Sequence, residues 1–312
     1  MTPSDAAPRP HVFIQTNDKQ LIGALVSAHS LKRNSPHRDE FDVTIMRHED
    51  HAFFAAKQGR PFLRGGDKRA WYNDDLQSFT PLRFMPPALM GYRGRAVVID
   101  PDIFAVGDIW ELLTRDMQGK AIVCRRRGGP KDRNGAYATS VMLLDCARLT
   151  HWRVEENFEE LFAFTRDYMN WIALKLEPAA TVGLFEEQWN DFDRLTPATK
   201  LLHNTRRRTQ PWKTGLPVDY RPAEHGNGFP PLAWALRARR KLFGEYGLLG
   251  RYAPHPDRRQ EALFFGLLRE CLESGAVSED LLRRAMALNH VRHDALALIE
   301  RTPPLSDRLA AA

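Results

Sequence analysis

Cysteine, long apolar runs and the common nucleotide fingerprints are what this 312-residue chain has least of. Its three cysteines, Cys124, Cys146 and Cys271, stand far apart and form no C-x-x-C pair. That excludes a zinc-ribbon or disulfide framework and fits a reducing compartment. No apolar run is long enough for a transmembrane helix. The stretch Met1 to Pro10 is polar and proline-containing, with no apolar signal-peptide core, so residues 1–10 are expected to be a disordered leader on a cytoplasmic protein. Neither G-x-G-x-x-G nor G-x-x-x-x-G-K occurs, which removes the dinucleotide fingerprint and the P-loop. With 43% hydrophobic and 27% charged residues, the composition fits neither a collagen-like nor a disordered chain.

What is present in excess is positive charge. The formal net charge is +6 and the pI is near 9.3, a balance that suits an acidic partner: nucleic acid, an anionic membrane surface or a polyphosphate substrate. The basic residues cluster at Arg125-Arg126-Arg127, at Arg206-Arg207-Arg208 and at Arg237-Ala-Arg239-Arg240-Lys241.

The chain is organised around Gly94 to Val106. An apolar run of strand type climbs to Ile99 and then presents Asp100 and Asp102 on either side of Pro101. Side chains two apart on an extended backbone point the same way, so both acids can converge on one cation at the strand's C-terminal edge. Hard oxygen ligands suit Mg²⁺ or Mn²⁺, which commonly hold phosphates. A second D-x-D, Asp191-Phe-Asp193, follows a polar stretch without a strand and reads as a turn or helix start.

Before this stretch, His11–Thr16 reads as a strand ending in Asn17-Asp18-Lys19-Gln20. Leu21, Leu25, Ala28 and Leu31 at helical spacing predict a helix that stops by Asn34, and Phe41 to Met46 predicts a second strand. That opening is the start of a nucleotide-binding α/β fold. Arg64 to Trp71 reads as a charged loop. Residues 76–89, which carry Arg83, read as a short helix broken at Pro86-Pro87. After the acids, a helical element is expected at Trp110 to Leu113 and a strand at Ala121 to Cys124. A further strand is expected at Ala138 to Asp145, with Thr139 and Ser140 at a mouth. Residues 158–176 carry a helical pattern that includes Asp167. His203 then precedes Arg206 to Arg208 and Pro211-Trp212-Lys213, and an imidazole beside two aspartates makes a Mn²⁺ ligand set. Residues 232–243, 256–275 and 278–301 read as helices. The first is basic and aromatic, a pattern that suits packing or an anionic lipid surface.

Over about residues 11–215 this pattern resembles the family 8 glycosyltransferases, the group that includes glycogenin and the bacterial lipooligosaccharide galactosyltransferases. Arg95 to Asp102 is similar to the family's apolar strand ending in D-x-D, and His203-Asn-Thr with Pro211-Trp-Lys213 resembles its late histidine and P-W-K signature. Gln15-Thr16-Asn17-Asp18 is similar to the uridine-binding opening, and Arg83 stands where the family has a basic residue near the donor. Pro101 replaces a residue that is often small, Ala138-Thr139-Ser140 replaces N-S/A-G, and Asp167-Tyr-Met-Asn170 echoes D-Q-x-x-L-N.

The resemblance implies an α/β fold of the GT-A kind: a Rossmann-like mixed sheet flanked by helices over residues 11–215, with a helical C-terminal extension over residues 216–312. It implies that Asp100, Asp102 and His203 hold Mn²⁺, with Mg²⁺ an alternative, against the diphosphate of a UDP-sugar. Lys213 would bind phosphate, Gln15 to Asp18, Arg83 and Ser140 would contact the donor, and Asp167 would position sugar or acceptor. The expected activity is transfer of a hexose to a glycan, glycolipid or protein hydroxyl, with retention, as in polysaccharide or glycolipid biosynthesis. A peripheral contact with an anionic membrane is allowed and no nucleic-acid partner is expected. The rival readings are a nucleotidyltransferase, which also places two acids at a strand end, and a catalytically silent module of the same fold that binds an acidic ligand.

Overall fold

The computed structural model describes residues 8–128, 136–220, 230–243 and 247–306. Residues 1–7 of the expected leader lie outside them. Pro8 to Pro10 are described: the Pro8 ring lies against Gly94, and Asp42 donates its amide to the Pro10 carbonyl at 3.0 Å.

The strands are β1 (His11–Thr16), β2 (Asp42–Arg47), β3 (Pro61–Arg64), β4 (Asp67–Ala70), β5 (Arg95–Ile99), β6 (Ile103–Ala105), β7 (Ile122–Arg126), β8 (Tyr137–Asp145), β9 (Val182–Leu184), β10 (Asp191–Phe192) and β11 (Leu201–His203). Six of them form one sheet in the order β2-β1-β5-β8-β7-β9. Strands β2, β1 and β5 run parallel, β8 is antiparallel to both β5 and β7, and β9 is parallel to β7. This is the expected mixed α/β sheet flanked by helices. Its centre is apolar on both faces, since Val12, Ile14, Val97, Val98, Val141 and Leu143 are all buried.

A small second sheet, β10-β11-β6, positions the acids. Asp100 donates its amide to the Ser140 carbonyl at 3.0 Å, the last rung of the central ladder there, and Pro101 has no N–H to continue it. The chain turns and re-enters as β6, whose antiparallel register sets Ile103 opposite His203. That pairing closes the long sequence gap between the D-x-D and the histidine.

The expected helix after β1 is Leu21–Arg33. At Gly23 a Cβ would stand 2.8 Å from the Pro101 carbonyl oxygen, so the absent side chain lets this helix lie against the Asp-Pro-Asp turn. One main apolar cluster fills the space around the central sheet. A second joins Ile22 and Val26 of this helix, Phe104 of β6, Leu202 of β11 and Trp212 to the C-terminal helices. Those helices are Arg258–Glu273, Glu279–Ala287 and Ala295–Arg301, preceded by Pro230–Phe243. Phe264 stacks on Trp212 at 4.8 Å and meets Phe104 edge-on at 5.5 Å.

Several elements differ from the sequence reading. The charged loop is the hairpin β3–β4, turned by Gly65 and Gly66, both at positive φ. The two prolines begin the helix Pro86–Leu89, where a missing N–H costs nothing, instead of breaking a longer one. The helical pattern over 158–176 is two helices, Val154–Phe162 and Tyr168–Ile172, interrupted at Phe164 (φ 61°). The pattern over 278–301 is likewise two helices, separated at Asn289 (φ 58°). Asp191 and Phe192, expected as a turn or helix start, form β10 beside β11.

Candidate active site

Asp100, Asp102 and His203 each offer one ligand atom, and the three atoms lie within 4.8 Å of one another. The acids come from the turn after β5 and the imidazole from the end of β11, as the register requires. His203 Nε2 is 3.3 Å from Asp102 Oδ1. Its Nδ1 is 2.8 Å from Asn190 Oδ1. An amide oxygen only accepts, so Nδ1 carries the proton and the lone pair of the neutral ring belongs to Nε2, facing the acids. Asn190 is in turn anchored, its Nδ2 donating to Ser140 Oγ at 2.9 Å and its carbonyl accepting from Arg125 at 2.5 Å.

The acids are braced as well. Arg83 donates to Asp100 Oδ1 at 3.1 Å and to the Thr139 hydroxyl, which donates to the Ile172 carbonyl at 2.7 Å. Gln15 donates its amide to Asp100, and Gln210 donates to Asp102 Oδ2 at 3.0 Å. Both glutamines leave the amide oxygen buried and without a partner, so acceptor oxygens stand beside the carboxylates. Burial pushes the Asp100 carboxyl above its ordinary range, and the neighbouring Asp102 adds to this against the pull of Arg83. Burial depresses His203, but the Asp102 carboxylate, with Asp100 and Asp193, outweighs it and holds the imidazole above its usual value. Two crowded carboxylates, an imidazole with its lone pair presented and spare acceptor oxygens are a donor set that fits Mn²⁺ or Mg²⁺.

Asp100, Asp102 and His203 line a cavity of about 640 Å³ together with Arg83, Ser140, Arg127 and Arg207. Each triple-arginine run thus sends one member to it. Arg125 instead lies over the Phe192 ring, Arg206 pairs with Asp193, and Arg208 meets the Leu249 carbonyl.

The remaining expected site residues are placed elsewhere. Thr16, the last residue of β1, and Asn17 after it are buried, the Asn17 amide reaching Ser78 Oγ at 3.2 Å, and Asp18 pairs with Arg47 at 2.5 Å; none of them lines the cavity. Lys213 is fully buried, with its ammonium 2.9 Å from Asp219 Oδ2, and it does not line the cavity. Burial pushes the Asp219 carboxyl up, but Lys213 and the Tyr252 hydroxyl outweigh it and hold it below the usual range. Asp167 caps the helix Tyr168–Ile172, accepting from the amides of Met169 (2.8 Å) and Asn170 (3.0 Å), and also takes the Gly66 amide at 2.9 Å. It lines a separate cavity with Trp152 and Trp171. The sequence reading missed Asn190 and Gln210 as supports. Their only written signal is proximity to the second D-x-D and to the P-W-K run.

No family model and no curated protein sequence matches this chain. Solved structures do. The glycosyltransferase GlyE of Streptococcus pneumoniae TIGR4 is 13% identical with a TM-score of 0.47, over 87% of this chain and 64% of that one. The galactosyltransferase LgtC, in complex with donor and acceptor sugar analogues, is 14% identical with a TM-score of 0.45, over 65% of this chain and 89% of that one. Mouse xyloside xylosyltransferase 1 is 14% identical with a TM-score of 0.41, over 63% and 97%. The chain thus spans about 64% of GlyE and about 48% of the bifunctional glycosyltransferase WbbM.

Proposed function

We propose that this protein is a metal-dependent glycosyltransferase that moves a hexose from a UDP-sugar to an acceptor hydroxyl, with retention of configuration. The observation that carries the reading is the meeting of Asp100, Asp102 and His203 in a cavity whose other charged lining residues, among the described residues, are all basic. Asp100, Asp102 and His203 would hold a divalent ion, and bound there it would supply positive charge against the diphosphate of the departing UDP.

The chain's own residues do the rest. Asn190 fixes the imidazole tautomer, and Arg83, Gln15 and Gln210 fix the carboxylates, so that little reorganisation remains when charge develops on the leaving group. Arg127 and Arg207 face the same space and offer charge-assisted hydrogen bonds to phosphate oxygens. Lys213, bound to Asp219, anchors the segment that carries Gln210.

Among the described residues no helix is long and apolar enough to cross a membrane. A peripheral role for the helix Pro230–Phe243 is part of the same reading, supported by Trp234 and Leu242, both 73% exposed, beside exposed Lys241. Cosedimentation with phosphatidylglycerol vesicles tests it: Trp234→Ala with Leu242→Ala should weaken binding, and equal binding by both proteins removes the helix from the contact.

The central test is incubation with a panel of UDP-sugars and Mn²⁺, with and without EDTA. UDP release from at least one donor, abolished by EDTA and by Asp100→Ala, is expected. Release that ignores EDTA, or none from any donor, defeats the reading. Pyrophosphate release from a nucleoside triphosphate would favour the nucleotidyltransferase alternative.

A further inference from the structure

Among the described residues, the cavity lining holds more positive charge than a metal-bound diphosphate needs. The described charged lining residues besides His203 are Asp100 and Asp102 against Arg64, Arg83, Arg127, Lys175 and Arg207. A divalent ion balances the two acids, and Arg83 is engaged with Asp100. Arg207 follows His203 in the chain and Arg127 follows β7, so both belong to the side of the cavity formed by the small sheet and the end of β7. They match the charge of a nucleoside diphosphate.

Arg64 and Lys175 remain, and both flank the helix Tyr168–Ile172. The Arg64 guanidinium lies 4.8 Å from the centre of the Tyr168 ring, itself part of the lining. Lys175 is held by its amide on the Asn170 carbonyl at 2.9 Å. Among the described residues neither side chain meets a carboxylate. The hairpin that carries Arg64 is docked on this helix by the Gly66 amide on Asp167. A guanidinium held over an aromatic ring can offer its N–H groups to a planar or tetrahedral oxyanion.

We infer that Arg64 and Lys175 form a second anion subsite, for a carboxylate or phosphate group carried by a sugar substrate in addition to the donor's diphosphate. The assignment rests on the UDP-sugar reading for its charge count, but the subsite itself is a property of these two cations. Two sources share the chemistry: an acidic or phosphorylated acceptor, and a uronic-acid donor.

The test is calorimetric titration of the full chain with Mn²⁺ and UDP present, using glucose 6-phosphate and glucose as probes. The same titrations follow on Arg64→Gln/Lys175→Gln, after its melting temperature is shown to equal that of the unaltered protein. The expected result is binding of glucose 6-phosphate about ten-fold or more tighter than glucose, with the preference lost in the double variant. Equal affinity for the two probes, or loss of the phosphate probe when UDP is added, overturns the subsite. In a parallel arm, UDP-glucuronate and UDP-glucose are compared. Weakening of UDP-glucuronate alone by the double substitution places the anion on the donor, and unchanged donors with a weakened phosphate probe place it on the acceptor. If UDP fails to bind at all, the nucleotide reading falls. Phosphate-probe binding that is lost in the double variant would then still stand for the subsite.

Discussion

His203 meets Asn190 through Nδ1 and Asp102 through Nε2, and its proposed role as a ligand depends on which nitrogen holds the proton. Burial lowers its basicity, and Asp102 with Asp100 and Asp193 more than restores it, so the folded imidazole titrates above the usual 6.5. Ligation needs the neutral ring, and metal binding therefore competes with a proton. Calorimetry with Mn²⁺ should show affinity rising with pH until the raised value is passed, and falling by about ten-fold for each unit below it. A flat profile removes His203 from the ligand set. In the metal-free protein the sign is opposite: a raised folded value gives stability that is complete below 6.5 and is lost as pH rises through the folded value. Asn190→Leu leaves Nδ1–H buried without an acceptor and should lower Mn²⁺ affinity by about ten- to a hundred-fold, with recovery in Asn190→Asp. Equal affinity in all three proteins would show that the amide does not orient the ring.

At the scale of elements, the turn between β5 and β6 depends on what lies behind it. Gly23 sits inside the helix Leu21–Arg33, where alanine would ordinarily stabilise by about 1 kcal/mol. Here the added Cβ meets the Pro101 carbonyl at 2.8 Å, a backbone atom that cannot swing aside. Gly23→Ala should therefore destabilise the fold by about 1–3 kcal/mol in urea titration and weaken Mn²⁺ binding as the acids shift. A stability gain with unchanged metal binding would show that the contact is slack. The longer elements were legible because each has a period: β1, β5 and β8 are apolar runs, and Leu21, Leu25, Ala28 and Leu31 mark one helix face. The hairpin β3–β4 was not, since Asp67-Lys68-Arg69 gives no apolar face to read. Strands β6 and β11, three residues each, are too short for alternation to register. Yet their pairing is what joins the two halves of the site. The two acids and the imidazole were therefore readable as candidate ligands by their chemistry, whereas the groups that hold them, Asn190 and Gln210, become visible only once those short strands are paired.

Across the whole molecule, the C-terminal helices back the same turn from the far side. Phe264 packs on Trp212 and Phe104, Gln260 accepts from Asn204 at 2.6 Å, and Glu270 receives Arg33 at 2.6 Å and His29 at 2.8 Å. Residues beyond 215 thus share a core with the helix Leu21–Arg33 and with β6 and β11. Phe264→Ala should cost about 3–5 kcal/mol and lower the melting temperature of the chain in a single transition. Two separate transitions would show that the C-terminal helices melt as an independent unit. The claim on which the functional account stands is that three groups from β5's end and β11 hold one ion against a nucleotide's phosphates. Pulsed electron paramagnetic resonance of Mn²⁺ bound to the protein with UDP tests it most directly. The account expects nitrogen coupling that disappears in His203→Gln, together with phosphorus coupling from UDP. A Mn²⁺ spectrum with neither coupling, unchanged from the ion in buffer with UDP omitted, would contradict it.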